Sequence, residues 1–263
     1  MLLLHLTFIQ ITIMNKCTLL ISCLLLCCFS LGAQEITPQE IIKKSEEKLR
    51  GKYSQGEIKM TIVRPDWTRD IQMKSWSTGD DYSLILVTAP ARDKGTAFLK
   101  RDKEMWNWQP KIDRVIKMPP SMMSQSWMGS DFTNDDLARA NSRVEDFIQS
   151  IEGSGEVEGR DCWILQLIPK DEAGVVWGKI KIWIDKKEFI QMKSEFYDED
   201  DYLVNTMLAK NIGKLGGRTL PKSLEVIPAD EEGHKTIIEY LSLDFDKPIK
   251  DSFYSQQNMK RVR

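Results

Sequence analysis

Lys179-Ile180-Lys181-Ile182-Trp183-Ile184 alternates its side chains, turns through Asp185-Lys186-Lys187-Glu188, and resumes the same rule at Ile190, Met192 and Phe196. A period of two puts every second side chain on one face of a strand. Two such runs joined by a polar turn predict an antiparallel hairpin with one covered face. The pattern recurs. Ile58, Met60 and Ile62 alternate with Glu57, Lys59 and Thr61, and Tyr82, Leu84 and Leu86 with Ser83, Ile85 and Val87. Further strands are expected at 69–77, 96–101, 105–109, 114–117, 161–169, 205–215, 218–228 and 236–245. Thr78-Gly79-Asp80, Arg101-Asp102-Lys103, Gly153-Ser154-Gly155 and Leu215-Gly216-Gly217 read as the turns between them. Residues 142–152 fit a helix or a strand equally. Short strands at this spacing predict one large curved antiparallel sheet or barrel, mainly β with a few helices.

Two stretches break the strand period. Thr37 is a good N-cap, Pro38 suits the first helical position, and Glu40 completes a capping box. Ile36 and Ile41 are spaced as a staple across the cap. Ile41, Ile42, Ser45 and Leu49 form one face, opposite Lys43, Lys44, Glu46, Glu47 and Lys48, and Gly51 marks the stop. The second stretch is Met118-Pro119-Pro120-Ser121-Met122-Met123-Ser124-Gln125-Ser126-Trp127-Met128-Gly129-Ser130-Asp131-Phe132-Thr133-Asn134-Asp135-Asp136-Leu137. It holds four methionines, a Trp and a Phe without strand or helix periodicity. Thr133 is a cap, with Asp135 and Asp136 in the first turn of a short helix. Methionine is flexible and polarizable, so this segment reads as an adaptable cover over an apolar cavity.

Residues 1–33 read as a targeting leader. Lys16 is their only Lys or Arg, and they contain no Asp or Glu. Met14-Asn15-Lys16 is a short basic start, which makes Met14 a candidate for the natural first residue. Cys17 to Phe29 is apolar, and Leu31-Gly32-Ala33 suits cleavage before Gln34. A rival reading takes Leu20-Ile21-Ser22-Cys23 as a lipobox, which would make the product a membrane-anchored lipoprotein. The apolar run continues through Leu24-Leu25-Leu26, which favours plain cleavage and a soluble exported protein. Residues 34–263 then form a single domain with a net charge near −3. That balance argues against nucleic acid, which needs a basic surplus. Cys17, Cys23, Cys27 and Cys28 fall in the leader, so Cys162 alone remains, as a buried hydrophobe rather than part of a disulfide or metal set.

Catalytic constellations are missing from the sequence. His234 is the only histidine after the leader and sits in a polar turn, so no Ser or Cys has a His partner. No glycine-rich phosphate loop precedes a helix. Asp198-Glu199-Asp200-Asp201 reads as an acidic hairpin tip rather than a calcium loop. Asp131, Asp135 and Asp136 read as loop and helix-dipole groups rather than acid–base catalysts. The chain is therefore expected to be no enzyme and to need no metal or cofactor. One curved sheet with about two helices leaves its concave side either filled by its own side chains or open to a ligand. The methionine-rich segment favours the ligand. The expected cavity rim and lid are Trp106, Trp108, Met118, Met122, Met123, Trp127, Met128, Phe132 and Leu137.

Pro119-Pro120-Ser121-Met122-Met123, followed by Ser126-Trp127-Met128-Gly129-Ser130-Asp131-Phe132-Thr133-Asn134-Asp135-Asp136-Leu137, resembles the signature of exported outer-membrane lipoprotein-sorting proteins. These are distant relatives of the periplasmic lipoprotein carrier. Phe253-Tyr254-Ser255-Gln256-Gln257-Asn258-Met259-Lys260-Arg261 resembles the closing segment of the same family. The resemblance implies an unclosed, strongly curved antiparallel β-barrel with helices covering the open side. It implies a cavity for acyl chains of lipoproteins or lipids, in the periplasm of a bacterium with two membranes. It also implies a monomer that meets an inner-membrane transporter and an outer-membrane acceptor. The alternative on the same fold is a sensor or adaptor module of an envelope transporter.

Overall fold

Thirteen antiparallel strands form one sheet, in the order β6-β5-β4-β3-β2-β1-β13-β12-β11-β10-β9-β8-β7. In chain order they are β1 (Tyr53–Arg64), β2 (Trp67–Thr78), β3 (Tyr82–Ala89), β4 (Ala97–Arg101), β5 (Glu104–Gln109), β6 (Arg114–Lys117) and β7 (Phe147–Val157). Then follow β8 (Arg160–Pro169), β9 (Lys179–Asp185), β10 (Gln191–Tyr197), β11 (Leu203–Leu215), β12 (Arg218–Pro228) and β13 (Lys235–Phe245). The computed structural model describes residues 36–139 and 143–263. The leader expected over 1–33, with its cleavage site and the lipobox reading, lies outside the described residues.

Consecutive strands are neighbours except β6 and β7, and β1 pairs with β13, so the sheet is two meanders joined by the two strands most distant in the chain. Its edges, β6 and β7, are not paired with each other, so the curved sheet stays unclosed. Four helices interrupt the described chain: α1 (Pro38–Arg50), α2 (Asn134–Arg139), α3 (Arg143–Asp146) and α4 (Gln256–Met259). The chain from Pro38 to Arg263 forms one compact unit.

The local chemistry explains most boundaries. α1 begins at Pro38 and buries Ile41, Ile42 and Ser45. It stops at Gly51, whose N–H donates to Glu47 O at 2.7 Å with φ +65°, a left-handed closure that glycine adopts without strain. α1 touches β7, β9 and β12, so it bridges the concave side rather than lying along one edge. Leu215 and Arg218 face each other across Gly216 and Gly217, both at positive φ, the backbone of a tight hairpin turn.

Two expectations need correction. Gly153-Ser154-Gly155 is no turn: it lies within β7, with Ser154 opposite Trp163 and Gly155 opposite Cys162. The turn falls later, at Glu158 and Gly159, both at positive φ, between paired Val157 and Arg160. A side chain at 155 would start 3.1 Å from Ile164 Cδ1, so the glycine admits a large neighbour across the ladder. The ambiguous stretch 142–152 divides between α3 and the start of β7, with residue 142 outside the described set. The second correction concerns faces. β3 to β5 are covered on both sides, not one. Val87, Phe98 and Met105 join the concave core with Met60, Ile62 and Ile71. Leu84, Leu86, Ala97 and Leu99 pack on the other side under Tyr254 and Met259.

Candidate functional site

The concave face carries a cavity of about 410 Å³, within the usual range for small-molecule sites, about 300–1,000 Å³. Three layers wall it. The sheet contributes Ile58, Met73, Ile85, Phe196, Leu224 and Ile238. α1 contributes Ser45 and Leu49 from its inner face. The methionine-rich segment and the loop before β9 contribute Trp127, Phe132, Leu137, Val175 and Trp177.

The methionine-rich segment is a small, heavily bonded hairpin. Ser126 and Thr133 form an antiparallel bridge. Trp127 N–H donates to Phe132 O at 2.7 Å, and Ser130 Oγ to Trp127 O at 2.7 Å. Met128 and Gly129 make the reversal at positive φ. Thr133 Oγ1 accepts from Asp136 N–H at 3.1 Å, while Thr133 N–H donates to Asp136 Oδ2 at 2.8 Å, a reciprocal cap that starts α2 as the sequence implied. Asp136 Oδ1 also accepts from Trp177 Nε1 at 3.0 Å, tying the segment to the loop before β9.

One carboxylate pins this hairpin to the sheet. Asp131 accepts from Arg64 Nη2 at 2.9 Å and Nη1 at 3.2 Å, and from Thr236 Oγ1 at 2.7 Å. Its own N–H donates to Thr236 Oγ1 at 3.0 Å, and Arg64 Nη2 reaches Gly129 O at 3.1 Å. The side chain of Asp131 is 5% exposed and that of Arg64 12%. The sequence marked Asp131 only as a loop residue. Its partners on β1 and β13 are far away in the chain, so nothing local announced the clamp.

The nine expected rim and lid residues separate. Trp127, Phe132 and Leu137 line the cavity. Trp127 is buried against Phe98 with ring centroids 5.4 Å apart, and its indole N–H meets no acceptor. Met118, Met123 and Met128 pack behind it, against the concave core. Met122 is half-buried, and its carbonyl accepts from Asn134 Nδ2 at 2.9 Å. Trp106 and Trp108 lie on the opposite side of β5, with Leu84, Leu99, Tyr254 and Met259. They belong to the packing beneath the C-terminal segment, outside the cavity wall. Trp177, Phe196 and Tyr240, which the sequence did not single out, line the cavity instead. Burial pushes the Tyr240 phenol up to about 12.

Cys162, His234 and Asp198 lie apart from the cavity wall. Cys162 is buried in β8, and burial, then the charge of Asp185, pushes its thiol up to about 11. His234 pairs with Glu231 in the turn before β13. Asp198 Oδ1 accepts from the N–H groups of Asp200 at 3.0 Å and Tyr202 at 2.9 Å, which closes the acidic hairpin tip. Among the described residues, no group of three or more His, Cys, Asp or Glu side chains is arranged to hold a metal ion.

A family model described as "Uncharacterized protein" matches residues 79–261. No curated protein matches the chain. Among solved structures, a DUF1329 family protein from Desulfovibrio piger has a TM-score of 0.77 at 23% identity, over 84% of this chain and 97% of that one. A putative outer membrane lipoprotein-sorting protein domain from Vibrio parahaemolyticus has a TM-score of 0.77 at 22% identity, over 85% and 98%. A LolA superfamily protein from Nitrosomonas europaea has a TM-score of 0.73 at 22% identity, over 84% and 99%. At these identities the likeness is one of fold: an open, strongly curved antiparallel sheet with helices against it. The chain belongs to the family that this model describes, and it has the fold of these LolA-like structures.

Proposed function

We propose that this protein is a periplasmic carrier that shelters the acyl chains of lipoproteins or lipids on the way to the outer membrane. The observation that carries the reading is the hollow of about 410 Å³ between an unclosed sheet, a bridging helix and a methionine-backed hairpin. A buried methylene is worth about 0.8 kcal/mol, so a long acyl chain gains on the order of 10 kcal/mol on leaving water. Moving it through water unaided forfeits that gain. A hollow that supplies most of it makes a soluble intermediate possible, and no chemical step is needed.

Release matters as much as binding. The hairpin rests on Met118, Met123 and Met128, side chains that repack readily around irregular neighbours. Its attachment through Asp131 is polar and discrete, so it can open as a unit while the sheet stays intact. The leader-like residues 1–33 support export. In this reading the protein acts as a monomer, takes cargo from an inner-membrane transporter and yields it to an outer-membrane acceptor.

The test is uptake and delivery. Purified protein is mixed with donor vesicles carrying a fluorescent fatty acid, then with acceptor vesicles. Saturable uptake followed by transfer supports the carrier. Uptake without transfer, together with copurification of a membrane protein, assigns the adaptor role instead. No uptake at all refutes both.

A further inference from the structure

The cavity is polar at one end, and the strand register shows why. Ser54 on β1 faces Ser77 on β2, Ser77 faces Ser83 on β3, and Ser83 faces Lys100 on β4. Residues directly opposite across a ladder share a face, so these four side chains form one row across four strands. All four line the cavity. The next row inward is Gly56, Ser75, Ile85 and Phe98, and the one beyond begins with Ile58 and Met73. Polarity therefore falls stepwise along the strands, from three hydroxyls and an ammonium to apolar side chains.

Lys100 is the unusual member. It is only 8% exposed, although lysine is almost never buried without reason. Its Nζ donates to Asp80 O at 2.6 Å. Ser54 and Ser77 hydroxyls are 2.7 Å apart. Arg50 and Lys48, from the last turn of α1, also line the cavity, with two carboxylates, Glu46 and Asp80. Arg50 pairs with Asp80, and Lys48 with Glu188. A buried ammonium in a cavity wall acts through a lower dielectric than water and favours an anion over a neutral group.

We infer that this row is a headgroup subsite, which receives the anionic phosphate or carboxylate of an acyl lipid whose chain lies in the apolar end. The inference rests on the carrier reading above and adds selectivity to it. Lys100 supplies the charge, and Ser77 and Ser83 supply neutral hydrogen bonds that an anion accepts. A neutral head gains only the hydroxyls.

The test compares three ligands displacing a fluorescent fatty acid from the purified protein: oleoyl lysophosphatidylglycerol, monoolein and inorganic phosphate. The protein is expected to prefer the lysophospholipid to monoolein. Lys100→Met is expected to lower that ratio about tenfold, and Lys100→Arg to restore most of it. Should Lys100→Met not fold, the Ser77→Ala/Ser83→Ala pair is expected to lower the ratio about threefold. An unchanged ratio in the folded variants overturns the subsite while leaving the carrier intact. Inorganic phosphate competing as well as the lysophospholipid assigns the row to a free anion and also overturns it. Failure of every apolar ligand to bind removes the carrier reading itself, a result distinct from loss of selectivity.

Discussion

Replacing Asp131 by Ala should cost far more than a loop substitution ordinarily does. The carboxylate holds both terminal nitrogens of Arg64 at 2.9 and 3.2 Å and the Thr236 hydroxyl at 2.7 Å. Both charged side chains are nearly buried. Removing one member of a buried pair leaves the other charge uncompensated, at a cost of about 3 kcal/mol. In a domain of this size that lowers Tm by about 6 to 12 °C. The assay is equilibrium urea unfolding of the wild type, Asp131→Ala, Arg64→Ala and the double variant. The cycle should give a coupling of about 2 kcal/mol. Native-state hydrogen exchange adds position: the amides of Trp127, Asn134 and Asp135, which bond within the hairpin, should exchange faster in Asp131→Ala than those of β9 or β10. A coupling below about 0.5 kcal/mol refutes the clamp and makes the hairpin's position a matter of apolar packing alone.

Two substitutions separate the cavity from the packing behind the sheet. Trp108→Ala should destabilise by about 4 kcal/mol and leave fatty-acid affinity unaltered, because Trp108 sits under Tyr254 and Met259. Leu224→Trp should cut uptake with little change in the urea midpoint, because Leu224 lines the hollow. The reverse pattern contradicts the assignment of faces. Alkaline titration gives an independent check. Burial raises the phenols of Tyr240 and Tyr254 to about 12 from the usual 10. The folded state therefore favours the neutral phenol, a contribution that is intact below pH 10 and lost as pH climbs through 12. Absorbance at 295 nm in the folded protein should show both titrating late, and the urea midpoint should fall across that window. A late phase whose amplitude is unchanged in Tyr240→Phe and in Tyr254→Phe contradicts their burial.

Strand alternation was enough to find twelve of the strands, because most carry at least one covered face. It failed at β7, where Glu152-Gly153-Ser154-Gly155-Glu156 has no apolar rhythm and the glycine serves a neighbour on β8. Alternation also says which residues share a face but not which face looks inward. Trp106 and Trp108 were expected at the cavity rim, yet they lie beneath the C-terminal segment, because β3 to β5 are covered on both sides. The reciprocal cap at Thr133 was readable because it is local. The clamp at Asp131 was not, since it needs β1 and β13, distant in the chain, side by side; nor was the row from Ser54 to Lys100, since it depends on the exact register of three successive hairpins.

A crystal structure of the protein loaded with palmitate decides whether the hollow holds an acyl chain. Continuous density for the chain is expected in the hollow, against Met73, Phe196, Leu224 and the Trp127 ring, with the carboxylate toward Lys100. A hollow closed by the protein's own side chains, with the fatty acid absent or bound elsewhere, contradicts it.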